Sequence, residues 1–221
     1  MIPFALPRNA AIVWDLDHTL LPMNVGGEFI RSLLTQKQIA IWKRYRFYVA
    51  YVLFHSYIID AETALREALG IFEGMELAFL EKAARAFVQE RVKPGVFPEA
   101  LERLQFHRSQ GDTLVLISGS PEFVVRPVGL LLCFNNAIGT RYVVRDGFVT
   151  RTKEPICYGE GKLALLHAEA LTVVRPHVYT DDVMDLPMLK IAGSASLINP
   201  NPALISEVES LGIPFEVLRW V

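Results

Sequence analysis

Two aspartates separated by a single residue are the first feature of the sequence that could do chemistry. Asp15 and Asp17 follow the apolar run 10–14, which has the β-branched composition typical of a buried strand. Two carboxylates this close repel each other unless a cation neutralises them. Mg²⁺ suits such a pair, because it binds one or two carboxylates and leaves room for a phosphate oxygen. Taken alone, the pair also fits a solvated turn after a strand.

A carboxylate held beside a metal ion has a defined chemical use. It can attack phosphorus and form an aspartyl-phosphate. A second carboxylate nearby can then protonate the leaving alcohol and activate water for hydrolysis.

Polar residues follow two further apolar runs, at the same position relative to each run. The run 113–117 ends in the turn 118–120, and the run 177–180 ends in Asp181. Each run precedes a segment of helical character, which predicts a parallel sheet flanked by helices. Such sheets bind ligands at the carboxyl ends of their strands. We therefore expect these polar side chains to converge on one crevice.

The other candidate site residues have plainer explanations when each is considered alone. Ser118-Gly119 can direct N–H groups at a phosphate, but such turns are common. Lys162 opens a predicted helix that runs to about residue 171, where a lysine is unfavourable to the helix dipole. It could neutralise phosphoryl oxygens, although a lone lysine usually lies on the surface. Asp181 and Asp185 could cap a helix. Together, these residues favour a site.

The elements that must position these residues include a long insertion. About a hundred residues separate the first strand from the second, far more than an ordinary crossover. The segment 25–90 has few prolines and many strong helix formers, which predicts an inserted helical subdomain. Its edges are marked by two flexible breaks in the helical pattern, Gly26-Gly27 and Lys93-Pro94-Gly95. The remaining predicted elements are a helix over 98–109, a hairpin over 141–150 and closing strands over 195–198 and 214–218.

The motifs and their order resemble those of the haloacid dehalogenase superfamily, and the chain is most similar to its phosphoserine-phosphatase-like branch (subfamily IB). The matching segments are 15–20, 118–120, 161–162 and 180–187. The resemblance covers nearly the whole chain. It implies an α/β fold with a Rossmann-like parallel sheet and a helical cap inserted between the first and second motifs. The catalytic core would comprise residues 1–24 and 91–221, and the cap residues 25–90.

The same resemblance implies a catalytic role for each motif. Asp15 would be the nucleophile and Asp17 the general acid and base. Ser118, Gly119 and Lys162 would bind the phosphoryl group.

The resemblance also implies a magnesium site. The Asp15 carboxylate, the Asp17 backbone carbonyl and the Asp181 carboxylate would bind Mg²⁺. Asp185 would support both the water shell of the metal and Lys162. Asp182 could share the metal role, since the last motif occurs in two spacings in the superfamily.

Two positions depart from the phosphoserine phosphatase pattern. Asn24 stands where those enzymes usually carry a glutamate that meets the substrate amine, and Met184 stands where an asparagine is common. Both differences make phosphoserine itself a doubtful substrate and leave the phosphatase chemistry unchanged. We expect Asn24 and Glu28, on the cap side, to contribute to substrate specificity.

Composition and charge narrow the possible partners and the location. Hydrophobic residues make up 52% of the chain, which is enough for a substantial core. The formal charge is −2, so the sequence lacks the excess of basic residues that is typical of nucleic-acid-binding proteins. Residues 1–8 lack the features of a signal peptide, and the longest apolar run is too short to span a membrane. We expect a cytoplasmic protein that is a monomer or homodimer, with Cys133 and Cys157 reduced.

The segment 39–59 is apolar and aromatic almost throughout. Helices that are apolar on all sides are normally buried, so we expect a buried cap helix. A membrane-interface surface, with Lys43, Arg44 and Arg46 facing headgroups, is the alternative, which leaves peripheral membrane contact open. A dimer mediated by the cap is intermediate between the two.

The sequence predicts a Mg²⁺-dependent phosphatase acting on a small phosphorylated metabolite. A lipid-phosphate phosphatase and a phosphotransferase would use the same site. A binding module without activity is disfavoured, because each position with a chemical role holds a competent residue.

Overall fold

The computed structural model describes residues 10–169 and 173–221, and within them a six-stranded parallel sheet forms the centre of the molecule. The strands are β1 (Ala11–Trp14), β2 (Thr113–Pro121), β3 (Asn136–Thr140), β4 (Tyr142–Arg145), β5 (Phe148–Thr152), β6 (His177–Thr180), β7 (Ser194–Ile198) and β8 (Phe215–Leu218). The sheet order is β3-β2-β1-β6-β7-β8, and all its pairs are parallel. Strands β4 and β5 form a separate antiparallel hairpin.

Helices connect and cover these strands. They are α1 (Val25–Thr35), α2 (Ile41–His55), α3 (Ala61–Leu69), α4 (Leu77–Phe87), α5 (Pro98–Ser109), α6 (Glu122–Leu131), α7 (Glu160–Ala168), α8 (Leu186–Ile191) and α9 (Pro202–Leu211). Helices α1 to α4 all belong to the long insertion between β1 and β2. The Rossmann-like α/β class predicted from the sequence is confirmed.

Strand β1 is central because its side chains bury apolar surface on both faces of the sheet. Ile12, Val13 and Trp14 are fully buried. Successive residues of a strand point to opposite faces, so Ile12 and Trp14 join one core cluster and Val13 joins the other. Burial on both faces fixes the register of β1 against β2 and β6, and with it the position of the residues that follow Trp14.

Several predicted elements are confirmed, and a few are wrong. The helix over 98–109, the hairpin and both closing strands occur as expected. Strand β3 was not predicted, because Asn136 and Gly139 are poor strand formers that pair here along the edge of β2. Gly26-Gly27 was predicted as a flexible break at the edge of the insertion but lies in the first turn of α1. Helix α7 ends at Ala168, and the predicted helix end near 171 and the N-terminal segment 1–8 lie outside the described residues.

The expectation that the segment 39–59 is buried is wrong. Helix α2 packs against α3 with one side, and its opposite side is exposed. Trp42 and Tyr45 are 61% and 72% exposed, and Tyr57 beyond the helix end is 97% exposed. Over residues 10–169 and 173–221, the structure contains no helix that is both long enough and apolar enough to cross a membrane.

Candidate active site

Asp15 is held by the strand that it terminates. Its backbone N–H donates to the Tyr179 carbonyl in β6 at 3.0 Å, which extends the pairing of β1 by one residue. The preceding Trp14 stacks on the Tyr179 ring, with centroids 3.6 Å apart. The Asp15 side chain is buried. Its carboxylate therefore occupies a fixed position at the carboxyl edge of the sheet.

Lys162 joins two carboxylates that lie far apart in the sequence. Its Nζ donates to Asp15 Oδ1 at 2.6 Å and to Asp185 Oδ1 at 2.7 Å, and all three side chains are buried. The first turn of α7 reaches this position because Gly161 packs against the Ile156 carbonyl, where a Cβ atom would clash. Asp185 is also fixed by the Thr180 hydroxyl, which donates to its Oδ2 at 2.7 Å.

The Asp17 carboxylate accepts hydrogen bonds from two elements, the start of α1 and the end of β2. Its Oδ1 accepts the Val25 N–H at the start of α1 at 2.5 Å. Its Oδ2 accepts the hydroxyl of Ser118 at 2.9 Å and that of Ser120 at 3.3 Å. The second motif is thus in direct contact with the first, as the sequence predicts, and the first turn of α1 is tied to the same carboxylate.

Asp181 and Asp182 take different positions although they are adjacent. Asp181 accepts the Thr19 hydroxyl at 2.9 Å at the edge of the carboxylate cluster. Asp182 is exposed, and its carboxylate accepts the Met184 N–H at 3.1 Å as the cap of a short 3₁₀ turn. Of the two residues, Asp181 is therefore the one whose carboxylate belongs to the cluster.

Burial and mutual repulsion raise the pKa values of the carboxyl groups. Burial raises the pKa of Asp15 well above its ordinary value; Lys162 opposes this, and Asp185, Asp17 and Asp181 add to it. Burial also raises the pKa of Asp17 and brings that of Asp181 to about 6. Burial lowers the pKa of Lys162, but Asp15 and Asp185 outweigh that effect and raise it well above its ordinary value. Lys162 is therefore charged.

Four carboxyl groups are clustered around one lysine, and the mutual repulsion that raises the pKa of Asp15 is what a bound cation would relieve. Within the described parts of the chain, no three side chains of His, Cys, Asp or Glu are grouped as a complete metal cage. The ligand set expected from the sequence, two carboxylates, one backbone carbonyl and water, does not need three such side chains. Asp17 fits the carbonyl role, since its carboxylate oxygens are engaged by Val25 and the two serines.

A cavity of about 730 Å³ opens from these carboxylates towards helices α1, α2 and α3. Asn24 and Glu28, the predicted specificity residues, both line it. The Asn24 side-chain oxygen accepts the Gly27 N–H at 2.7 Å and caps α1. Glu28 pairs with Arg31 at 3.2 Å. Neither residue contacts the catalytic carboxylates directly in the hydrogen bonds that the structure describes.

Sequence reasoning overlooked three hydroxyl residues of the site. Thr19, Ser120 and Thr180 bind Asp181, Asp17 and Asp185, respectively. Each lies within four residues of a motif aspartate or serine, and all three are buried. Their position inside the segments that match the motifs was the available signal.

Comparisons with known proteins agree with this fold. The family model of haloacid dehalogenase-like hydrolases matches residues 12–190. A probable phosphatase of Mycobacterium tuberculosis is 33% identical over 145 residues, which cover 64% of this chain and 50% of that protein. The chain thus spans about half the length of that relative.

Solved structures share the architecture at lower identity. A protein of unknown function from Bordetella pertussis has a TM-score of 0.81 at 23% identity, covering 93% of this chain and 96% of its own. A phosphoserine phosphatase bearing an analogue of a phospho-aspartyl intermediate has a TM-score of 0.62 at 18% identity, with 91% of each chain covered. The chain belongs to the haloacid dehalogenase-like hydrolase family, and the predicted resemblance to its phosphoserine-phosphatase-like branch is confirmed.

Proposed function

We propose that this protein is a Mg²⁺-dependent phosphatase that hydrolyses phosphomonoesters through an aspartyl-phosphate on Asp15. The observation that carries the proposal is the contact of Lys162 with both Asp15 and Asp185 in a buried cluster at the carboxyl edge of the sheet. Fixing a lysine between two desolvated carboxylates contributes little to stability compared with an apolar cluster. It does neutralise charge that develops when a carboxylate attacks a phosphoryl group.

The reaction has two steps. In the first, an Asp15 oxygen bonds to phosphorus, the ester P–O bond breaks, and Asp17 transfers its proton to the departing alkoxide oxygen. In the second, Asp17 takes a proton from water while the water oxygen bonds to phosphorus, which releases Asp15 and inorganic phosphate. Burial raises the pKa of Asp17, which favours the protonated form that the first step requires.

The chain's own residues hold the phosphoryl group during both steps. Ser118 and the turn at Gly119 would donate to its oxygens, and the Lys162 ammonium group would neutralise their charge. Asp185 and Thr180 position Lys162 through the hydrogen bonds described above. Asp15, the Asp17 carbonyl and Asp181 would hold Mg²⁺, which supplies charge neutralisation for the attacking and transferred oxygens.

The proposed domain organisation follows the path of the chain. Residues 1–24 and 91–221 would form the catalytic core, and residues 25–90 a helical cap. The cap would cover the cavity beside the carboxylates and act on specificity, while the core carries the same chemistry for a small phosphorylated substrate.

An Asp15→Asn variant tests the mechanism, because it keeps the shape of the side chain and removes its nucleophilic charge. With Mg²⁺ and a generic aryl phosphate, we expect turnover to fall to background while the circular dichroism spectrum is unchanged. Asp182→Asn is the matched control and should retain most of the activity, because Asp182 is exposed and caps a turn. Full turnover by Asp15→Asn would falsify the proposed mechanism.

A further inference from the structure

The wall of the cavity that faces the catalytic carboxylates is apolar. Helix α3 contributes only alanines and leucines to it, namely Ala61, Ala64, Leu65, Ala68 and Leu69. Helix α2 contributes Phe47, Ala50, Tyr51, Phe54 and His55. Among the described side chains, neither helix places a carboxylate, an ammonium or a guanidinium group against the cavity.

The apolar wall begins directly beside the phosphate-binding turn. A methyl group at Gly119 would lie 3.3 Å from Leu65 Cδ2, so this leucine is in van der Waals range of the turn. An alcohol chain of several carbons on a phosphoryl group held between Ser118 and Lys162 would therefore reach Leu65. From there the cavity continues along α2 and α3.

The charged groups contributed by α1 are paired with each other and leave the wall formed by α2 and α3 apolar. Glu28 and Arg31 line the cavity, but they pair with each other at 3.2 Å, and the Arg31 side chain is 76% exposed. An amine or carboxylate on a substrate that lay along α2 and α3 would meet only the Tyr51 hydroxyl and the His55 ring as polar side-chain groups of these two helices. Burying an unpaired polar group is unfavourable, whereas burying apolar surface is favourable.

We propose that the organic part of the substrate is apolar, so that the enzyme hydrolyses the phosphomonoester of a long-chain or similarly apolar alcohol. This inference rests on the phosphatase function proposed above and specifies its substrate class. The phosphate would lie at the carboxylates, and the alkyl part would lie along Leu65, Ala68 and Phe54.

The exposed side of α2 indicates that a membrane supplies such a substrate. Helix α2 separates the cavity from an outer face that carries Trp42, Tyr45 and Tyr48, each more than half exposed. Tryptophan and tyrosine are enriched where a protein meets the lipid headgroup region. Residues 36–59 contain four Lys or Arg and no Asp or Glu, and this net positive charge favours an anionic lipid surface, even though the Lys43 ammonium group itself donates to backbone carbonyls.

A series of soluble n-alkyl phosphates tests the substrate class. With Mg²⁺ and chains from two to eight carbons, we expect kcat/KM to rise about threefold to fourfold per methylene until the cavity is filled. Phosphoserine should be a poorer substrate than butyl phosphate. A flat series with phosphoserine preferred would overturn the inference while leaving phosphatase function intact. No turnover of any member, nor of an aryl phosphate, would instead overturn the proposed function.

Two substitutions at one position separate polarity from volume. Leu65→Gln should lower kcat/KM for octyl phosphate by about tenfold or more and change ethyl phosphate little, because only the longer chain contacts the wall. Leu65→Met, which conserves volume and apolarity, should behave as the parent. Equal losses on both substrates for Leu65→Gln would mean that Leu65 acts on the catalytic turn rather than on the alkyl chain.

Vesicles distinguish a membrane source from a free metabolite. We expect the protein to co-sediment with phosphatidylglycerol vesicles more strongly than with phosphatidylcholine vesicles. Trp42→Ala/Tyr45→Ala should reduce that binding and the hydrolysis of a vesicle-embedded alkyl phosphate, with soluble octyl phosphate unaffected. Leu130→Ala, which removes an exposed apolar side chain on α6, is the control. No preference for anionic vesicles would overturn the inference that a membrane supplies the substrate. A dimer that the Trp42→Ala/Tyr45→Ala variant dissociates would instead assign this face to a second copy of the chain.

Discussion

A methyl group on Gly26 would lie 2.8 Å from Ser120 Oγ, so the first turn of α1 and the end of β2 approach too closely for a larger residue at position 26. Ser120 Oγ donates to Asp17, and the neighbouring Val25 N–H donates to the same carboxylate. The glycine therefore allows close packing beside Asp17, the proposed general acid and base.

Gly26→Ala should consequently damage catalysis more than stability. The added methyl group must displace Ser120 Oγ or the start of α1, which changes the orientation of Asp17. We expect kcat to fall about tenfold or more, equivalent to roughly 1.4 kcal/mol in the transition state. Steady-state kinetics and thermal unfolding, measured on the same preparation, separate the two effects.

Gly27→Ala is the control for that variant. Its methyl group would meet the Asn24 side-chain oxygen at 2.9 Å and so disturb the α1 cap instead of the site. We expect a change in stability of about 1 kcal/mol or less and a kcat close to that of the parent. Equal kinetic losses in Gly26→Ala and Gly27→Ala would contradict the packing argument.

The parts of the site that follow strands could be predicted from the sequence. Asp15 and Asp181 each come directly after an apolar run, and strands buried on both faces have little freedom in register, so the ends of these runs fix the carboxylates. The contact between Lys162 and Asp15 depends instead on how closely the loop at Gly161 packs against Ile156. No local pattern encodes that approach, and only the order of motifs indicated it.

The exposure of α2 could not be predicted from composition for a related reason. Hydrophobic periodicity shows which residues are apolar but does not show which neighbours cover them, and a helix apolar on all sides is normally buried. In this fold, α2 lies at the outside of the insertion, so one side lines the cavity and Trp42 and Tyr45 on the other remain exposed.

Lys162→Met tests the charge balance of the cluster. The variant leaves Asp15 and Asp185 buried without their cation, and removing one partner of a buried ion pair typically costs about 3–5 kcal/mol. Burial already raises the pKa of Asp15 above its ordinary value and Lys162 opposes that rise, so removing the lysine raises the Asp15 pKa further; the loss of stability is therefore present at neutral pH and diminishes as the pH falls and Asp15 is protonated. Urea unfolding in EDTA at pH 8 and pH 5 measures this, and equal stability deficits at both values would contradict it.

Metal removal tests the proposed cofactor. Activity should vanish in EDTA and return with Mg²⁺, because Asp185, Asp17 and Asp181 repel a charged Asp15 carboxylate and a bound cation would relieve that repulsion. Ca²⁺ should inhibit, since it takes more ligands in a looser geometry than Mg²⁺. Asp181→Asn should raise the Mg²⁺ concentration needed for half-maximal activity, while Asp182→Asn should not. An enzyme that stays fully active after rigorous chelation would exclude the metal role.

His177 should make the fold sensitive to acid at a distance from the active site. Its ring is buried in β6 and hydrogen-bonds to Ser194 Oγ at 2.8 Å and Ser196 Oγ at 2.9 Å. Burial lowers the pKa of His177 to about 3, against 6.5 for an exposed histidine. Between these values the unfolded chain binds a proton that the native protein does not, so stability falls as the pH falls, by about 1.4 kcal/mol per unit.

Chemical unfolding from pH 7 to pH 4 should show this slope, and His177→Gln, which keeps a polar side chain without titrating, should flatten it while lowering stability at pH 7. If the two slopes coincide, another group, such as the buried His107, governs the acid response.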